Sequence, residues 1–254
     1  MEERAGLCGH GSDRGKVQPM TFGWFDINWP WIGLAISALL MLLLTTDIFR
    51  GDRSVSRWRD PVWLAWLAPA AYMLHQTEEY GITLFGQSFA FPDVLCTTLG
   101  QPPYPGCIIP PPLFVAVNVP LIWIAGAICA LLSRRHPLIG LGLYGVFPAN
   151  AISHIGSFVK TGHYNPGLLT AFLIQVPFAI WVAYAMAGDR RVGKSGIAVL
   201  FAAGIGLHAV LLGSLLAFTR GLIRAGTVVA IQVVNPLWCF VLPYLKERYN
   251  AQRK

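Results

Sequence analysis

The sequence predicts an all-α integral membrane protein: a single bundle of about seven transmembrane helices, N-terminus outside and C-terminus cytoplasmic. Three observations predict it. First, 55% of the residues are hydrophobic and only 12% charged, where a soluble domain carries about 25% charged residues. Second, the apolar residues gather in runs of the roughly 20 residues that a helix needs to cross a bilayer core about 30 Å thick. Third, the 19 Lys and Arg lie almost entirely between and beyond those runs. The net charge of +7 therefore reads as topology and attraction to anionic headgroups, with no nucleic-acid partner implied.

Residues 1–21 are polar and Gly-rich without apolar periodicity, the composition of a disordered tail. The first apolar run, 28–48, is too long for a signal h-region and reads as a retained span. The others lie near 61–81, 112–132, 137–158, 166–186, 196–217 and 225–245, within a membrane domain over 22–245 that ends in a basic tail, 246–254. Pro61 and Pro137 stand at first-turn positions, where a missing N–H costs nothing. Trp24, Trp29, Trp31, Trp58 and Trp63 lie at span ends, as interfacial anchors do.

Orientation follows from the basic residues. Alternate connections and the C-terminal tail hold thirteen of them, from Arg50 through Arg134, Arg135, Arg190 and Arg191 to Lys254; the opposite side holds six. The long connection 82–111 has none, so it faces outward and the C-terminus inward. Cys96 and Cys107 share that loop and can pair if it meets an oxidising compartment. Cys129 and Cys239 fall in apolar runs, as small hydrophobes do. The expected location is a plasma membrane, the inner membrane of a bacterial cell.

The informative residues are the polar ones inside the spans, because an ionisable group at mid-membrane costs roughly 2.5–3.5 kcal/mol on insertion scales. Glu78 and Glu79 are the carboxylates well inside the apolar register. In the run from Tyr72 to Tyr80, His75 and Glu79 are one turn apart on one helical face, with Glu78 on the other flank of His75. Span four carries Asn150 and His154 at the same spacing, just after Pro148. Asn118, Gln175, His208, Gln232 and Asn235 complete the set. At about 1.5 Å rise per residue, His75, Asn118, His154 and His208 lie roughly 6–14 Å below the outer ends of their spans, in one layer. Taken singly, Asn118, Gln175, His208, Gln232 and Asn235 read as interhelical hydrogen-bonders. For the acids the alternative is an ion-pair network that fastens helices, a costly use of two buried carboxylates.

With the motif His75-Gln76-Thr77-Glu78-Glu79, the Asn150 to His154 cluster, and the segment Tyr164-Asn165-Pro166-Gly167-Leu168-Leu169-Thr170-Ala171 that opens the next helix, the chain resembles the HXXEE family of small membrane proteins over residues 60–190. The resemblance implies which residues matter; the family carries no settled activity.

Three functions are open to such a cluster. The first is an enzyme acting on a lipid or other hydrophobic substrate. In one version His75, Glu79 and His154 bind Zn or Fe, with Glu78 as general base or fourth ligand. In a metal-free version one of Glu78 and Glu79 keeps its proton and, with His75, performs acid–base isomerisation or cyclisation. Catalytic candidates are thus His75, Glu78 and Glu79, with Asn118, Asn150 and Tyr164 as substrate-binding candidates. The second function is a proton-coupled transporter using the same residues as a relay, which the polar layer in only one half of the bundle disfavours. The third is a structural protein, which the buried acids disfavour. An enzyme predicts a cavity open to the outer half, walled by Tyr72, Tyr80, Phe147, Phe158 and Phe172, with Pro148 and Pro177 bending their spans to make room.

Overall fold

The computed structural model describes residues 21–252. The polar tail expected over 1–21 falls, except for Thr21, outside them, as do Arg253 and Lys254. The described chain is helical, without named strands. Helix α1 is Trp24–Leu44, and α2 is Pro61–Gln76, prolonged by a π-turn over Thr77–Gly81. A short α3, Phe91–Thr98, lies in the long loop. Then come α4 (Pro112–Leu132), α5 (Val146–Thr161), α6 (Leu168–Met186), α7 (Gly193–Thr219) and α8 (Ala225–Gln252).

Five of these, α1, α4, α6, α7 and α8, are long and apolar enough to cross a membrane. The other two segments read as spans from the sequence are helical but differ in kind. Helix α2 is the hub of the bundle: from Pro61 to Gly81 every residue except Trp66 and Leu74 is buried. It is enclosed by protein instead of lipid, which lets it carry His75, Gln76, Glu78 and Glu79. The segment before α5 is broken into a short helix, Pro137–Gly140, and a 3-10 stretch, Gly142–Gly145. Pro148 sits in the first turn of α5 and cannot donate to the carbonyl of Tyr144, which favours the break.

Local chemistry fixes the ends. Asp60 caps α2 by accepting from the backbone N–H of Val62 (2.9 Å), with Pro61 in the first position. Although fully buried, its carboxylate also accepts from Arg50 and from the backbone of Gly51 (3.1 and 2.7 Å), so the 45–60 connection is tied to the helix start. Three π-turns interrupt the helices, at Thr77–Gly81, Val119–Ala125 and Ala171–Gln175. Pro120 lies inside the second and Pro177 just beyond the third, so the bend expected at Pro177 takes the form of a widened turn.

Of the tryptophans read as anchors, Trp24, Trp31 and Trp58 are exposed, but Trp29 and Trp63 are buried. Trp29 packs against Tyr80 and Trp123, and the Trp63 indole donates to Leu44 O at 2.9 Å. Both face neighbouring helices, so they serve packing. Cys96 and Cys107 form a disulfide, while Cys129 and Cys239 are buried thiols.

Candidate functional site

The π-turn of α2, the middle of α5 and the turn 162–167 meet at one place. Glu79 Oε1 lies 3.1 Å from His154 Nε2 and 3.5 Å from His75 Nε2. The three ligand-type atoms all fall within 4.8 Å of one another, and all three side chains are buried. Asn150, one turn before His154, donates from Nδ2 to His75 Nε2 at 2.7 Å and lies 3.2 Å from Gln175 Oε1. The i, i+4 spacing on α2 and α5 thus brings both clusters together, as the pattern predicts.

The histidine tautomers follow from their far sides. Asn165 Nδ2 donates to the backbone carbonyl of His154 (3.0 Å), so its Oδ1 must accept from His154 Nδ1 (2.7 Å). Thr170 donates to the Glu78 carboxylate (2.5 Å), leaving its oxygen to accept from His75 Nδ1 (2.8 Å). Both rings therefore carry a proton on Nδ1, and both turn Nε2 towards the carboxylate of Glu79.

Glu78 has a different position from the one read in sequence. Its two oxygens accept from Tyr164 Oη (2.6 Å), the backbone N–H of Leu169 (3.1 Å) and of Thr170 (2.7 Å), and the Thr170 hydroxyl. Four donors leave it no lone pair for a general base or a fourth ligand. It is the anion at the N-terminus of α6, where free N–H groups and the helix dipole favour negative charge, and it fastens α6 to α2. Burial and the Glu78 carboxylate hold the Tyr164 phenol above the ordinary tyrosine range, which keeps it a donor.

Gly167 closes the cluster from the loop side. Its φ is +93°, and a Cβ there would come within 2.8 Å of His154, Glu79 and His75 together. The turn signal was legible in sequence; its contact with the cluster was not.

Beside the cluster is a cavity of about 210 Å³. Glu79, Asn118, Asn150, His154, Asn165 and His208 supply its polar lining, and Tyr72, Tyr80 and leucines of α4 and α7 much of its apolar wall. Phe147, Phe158 and Phe172, expected as walls, do not line it: Phe147 is in the core, and Phe158 and Phe172 are exposed on the outside of the bundle. Tyr164 lies off the cavity, held by Glu78 and the backbone of Leu84. Helix α3 contributes Phe91, Val94, Leu95 and Thr98, one face at i, i+3, i+4 and i+7, while Cys96 pins it to Cys107. Gln232 and Asn235 bond to Ser214 and the Leu207 carbonyl, the helix-fastening role read for them.

Comparison with curated proteins and with solved structures gave no match. Residues 66–182, which hold the 75–79 motif, Asn150, His154 and the 164–170 turn, match the family described as protein of unknown function with HXXEE motif.

Proposed function

We propose that the chain is an integral membrane enzyme acting on a lipid or other hydrophobic substrate, with a divalent ion, zinc or iron, held by His75, Glu79 and His154. The carrying observation is the pair of histidines whose Nδ1 protons are already committed to Thr170 and Asn165, so that two Nε2 atoms and one carboxylate oxygen converge and a cation can take the place of any proton between them. Tetrahedral coordination with bonds of about 2.0–2.1 Å separates ligand atoms by about 3.3 Å, close to the 3.1 and 3.5 Å found here. The partners of Nδ1 are of the kind that orient metal-bound imidazoles: an amide oxygen for His154, and for His75 a hydroxyl backed by a carboxylate. Binding requires Asn150 to give up its bond to His75 and turn to Gln175. An ion there would polarise a substrate oxygen or activate water; Asn118 and Asn150, on the cavity wall, are placed to orient the substrate.

Enzyme is favoured over relay transporter by what lies below the cluster. Leu64, Ala68, Leu138, Leu141 and Leu143 form a buried apolar floor there, and the one hydroxyl among these neighbours, that of Tyr144, is committed to the Leu64 carbonyl at 2.9 Å. The seven-span topology, N-terminus outside, belongs to the same proposal. Arg134 bonds to the carbonyl of Arg50, and Arg135, Arg190, Arg191 and Arg248 surround one recess, so the basic connections gather at one end. The disulfide-bearing loop suits a non-reducing side of the plasma membrane.

Metal analysis of detergent-purified protein tests the proposal. About one zinc or iron per chain is expected, lost in His75→Ala and in His154→Ala and retained in His208→Ala. Wild-type protein that neither retains an ion nor takes up added Zn²⁺ or Co²⁺ would sink it and leave acid–base chemistry at Glu79.

A further inference from the structure

We infer that the cavity beside the cluster is the binding site for a single slender apolar chain, entering sideways from the lipid phase between α5 and α7. The inference rests on the reading of the cluster as a lipid-handling site, and names the substrate's shape and its route.

Helices α5 and α7 run in the same direction and cross in backbone contact at one end. A Cβ on Gly204 would lie 1.8 Å from the carbonyl oxygen of Gly145, just before α5, and one on Gly145 would lie 2.0 Å from that of Leu200. No side chain separates the two elements at that point. Two to three turns further on, Ser153 and Ser157 of α5 and Leu211 and Leu212 of α7 stand on the cavity wall, so space has opened between the helices. The pair forms a V, closed at the glycines.

The opening faces lipid. Ser153 and Leu212 on its rim are exposed, and α7 beside it carries Ile205 and Leu216, both exposed. Such a surface on helices of membrane length is solvated by acyl chains. A chain crossing this rim from the bilayer leaves no apolar surface to water at any stage, whereas entry from the aqueous side would have to pass the disulfide-pinned α3. The hydroxyl-bearing rim, Ser153 and Ser157, suits the polar linkage of a lipid whose tail lies inside.

Size sets the class. The cavity, about 210 Å³, falls below the ~300 Å³ at which pockets for compact drug-sized ligands begin. It takes one segment of a fatty-acyl or linear prenyl chain, the remainder staying at the lipid-facing rim. Leu207, Leu211 and Leu215 line it at successive turns of α7, a track along which such a chain lies with one end near Glu79 and His154.

The test uses the full chain in vesicles that contain a palmitic acid analogue with a photoactivatable diazirine in its tail. After illumination, adducts are mapped by peptide mass spectrometry. Leu207 and Leu215 are almost wholly buried, as is Leu200 at the glycine contact, so only a chain inside the cavity reaches the first two. The expected result is labelling of Leu207 and Leu215 several-fold above Leu200. Excess palmitate should compete it away, and Ser153→Trp or Leu212→Trp, two exposed rim positions that fold without repacking, should suppress it. Labelling confined to outward residues such as Ile205, or labelling of Leu207 that persists in both rim variants, would overturn the inference. Ion content is measured on the same preparations. Cavity labelling without a bound ion keeps the chain site and removes the metal, and a bound ion without cavity labelling does the reverse.

Discussion

At the scale of single residues, the site depends as much on Gly167 as on the ionisable groups. Its left-handed φ of +93° already disfavours any other residue, and the space its missing Cβ would fill belongs to His75, Glu79 and His154. Gly162, in the same connection, has φ +70° but nothing within 4 Å of a Cβ, so it serves as an internal control. Gly162→Ala should carry the conformational cost alone, roughly 1–2 kcal/mol. Gly167→Ala should add roughly 1–3 kcal/mol of overpacking and also lower ion affinity, read by chemical denaturation and by Zn²⁺ titration. Equal effects of the two would show that the cluster tolerates a methyl group and that the close packing is incidental. The ionisable members were legible in sequence because a buried acid announces itself by its cost. Glu78 and Glu79 could not be told apart there, since adjacency in a sequence does not say which carboxylate meets a helix N-terminus. Thr170 and Asn165 lie in the segment that carries the family resemblance, but their roles on the histidines were illegible for a related reason. Each is an ordinary polar residue near a turn until its partner's position is known.

At the scale of elements, the apolar runs located the helices well, because lipid and core both demand long apolar segments. Deviation from α was legible only at Pro148 and Pro177, and the form it takes was not. The broken stretch at 137–145, beside Pro148, is also where elements come into close contact. Gly142 admits the carbonyl of Cys239, and Gly145 that of Leu200. Close approach of small residues is how membrane helices gain packing without a hydrophobic driving force, and α7 offers a direct comparison. Gly204→Ala should force α5 and α7 apart and cost up to about 3 kcal/mol by overpacking. Gly213→Ala on the same helix, with open space around it, should be neutral or stabilise by roughly 0.5–1 kcal/mol through helix propensity. Unfolding of the solubilised variants by denaturant reads both. Indistinguishable curves would mean that the contact at Gly145 yields easily, and the V between the helices would lose its hinge.

At the scale of the whole molecule, the arrangement is asymmetric along the bundle. One end gathers the basic connections, where Glu247 accepts from His136 at 2.7 Å and from the backbone of Leu138, and Trp181 donates to the carbonyl of Trp58. The other end holds the 82–111 loop with its disulfide and the turn at 162–167, joined where Leu84 N–H donates to Tyr164. The site sits nearer this second end, so its access side depends on which end faces the cytoplasm. In the proposed topology the basic end lies inside, which charge bias favours, and the disulfide independently favours a non-reducing compartment for the opposite end. Cysteine labelling decides it. Cys129 and Cys239 are buried and Cys96 and Cys107 are paired, so removing Cys8 leaves a background with no accessible thiol among the described residues. In that background Ser88→Cys, exposed in the long loop, should react with an impermeant maleimide on intact cells, and Val55→Cys, at the basic end, only after permeabilisation. The reverse pattern would invert the bundle and move the His75–Glu79–His154 cluster to the cytoplasmic half. It would also place the disulfide in a reducing compartment, where it should not survive; since Cys96 and Cys107 are buried, two additional thiols titrated after denaturation without reductant would be a second, independent sign of the inversion.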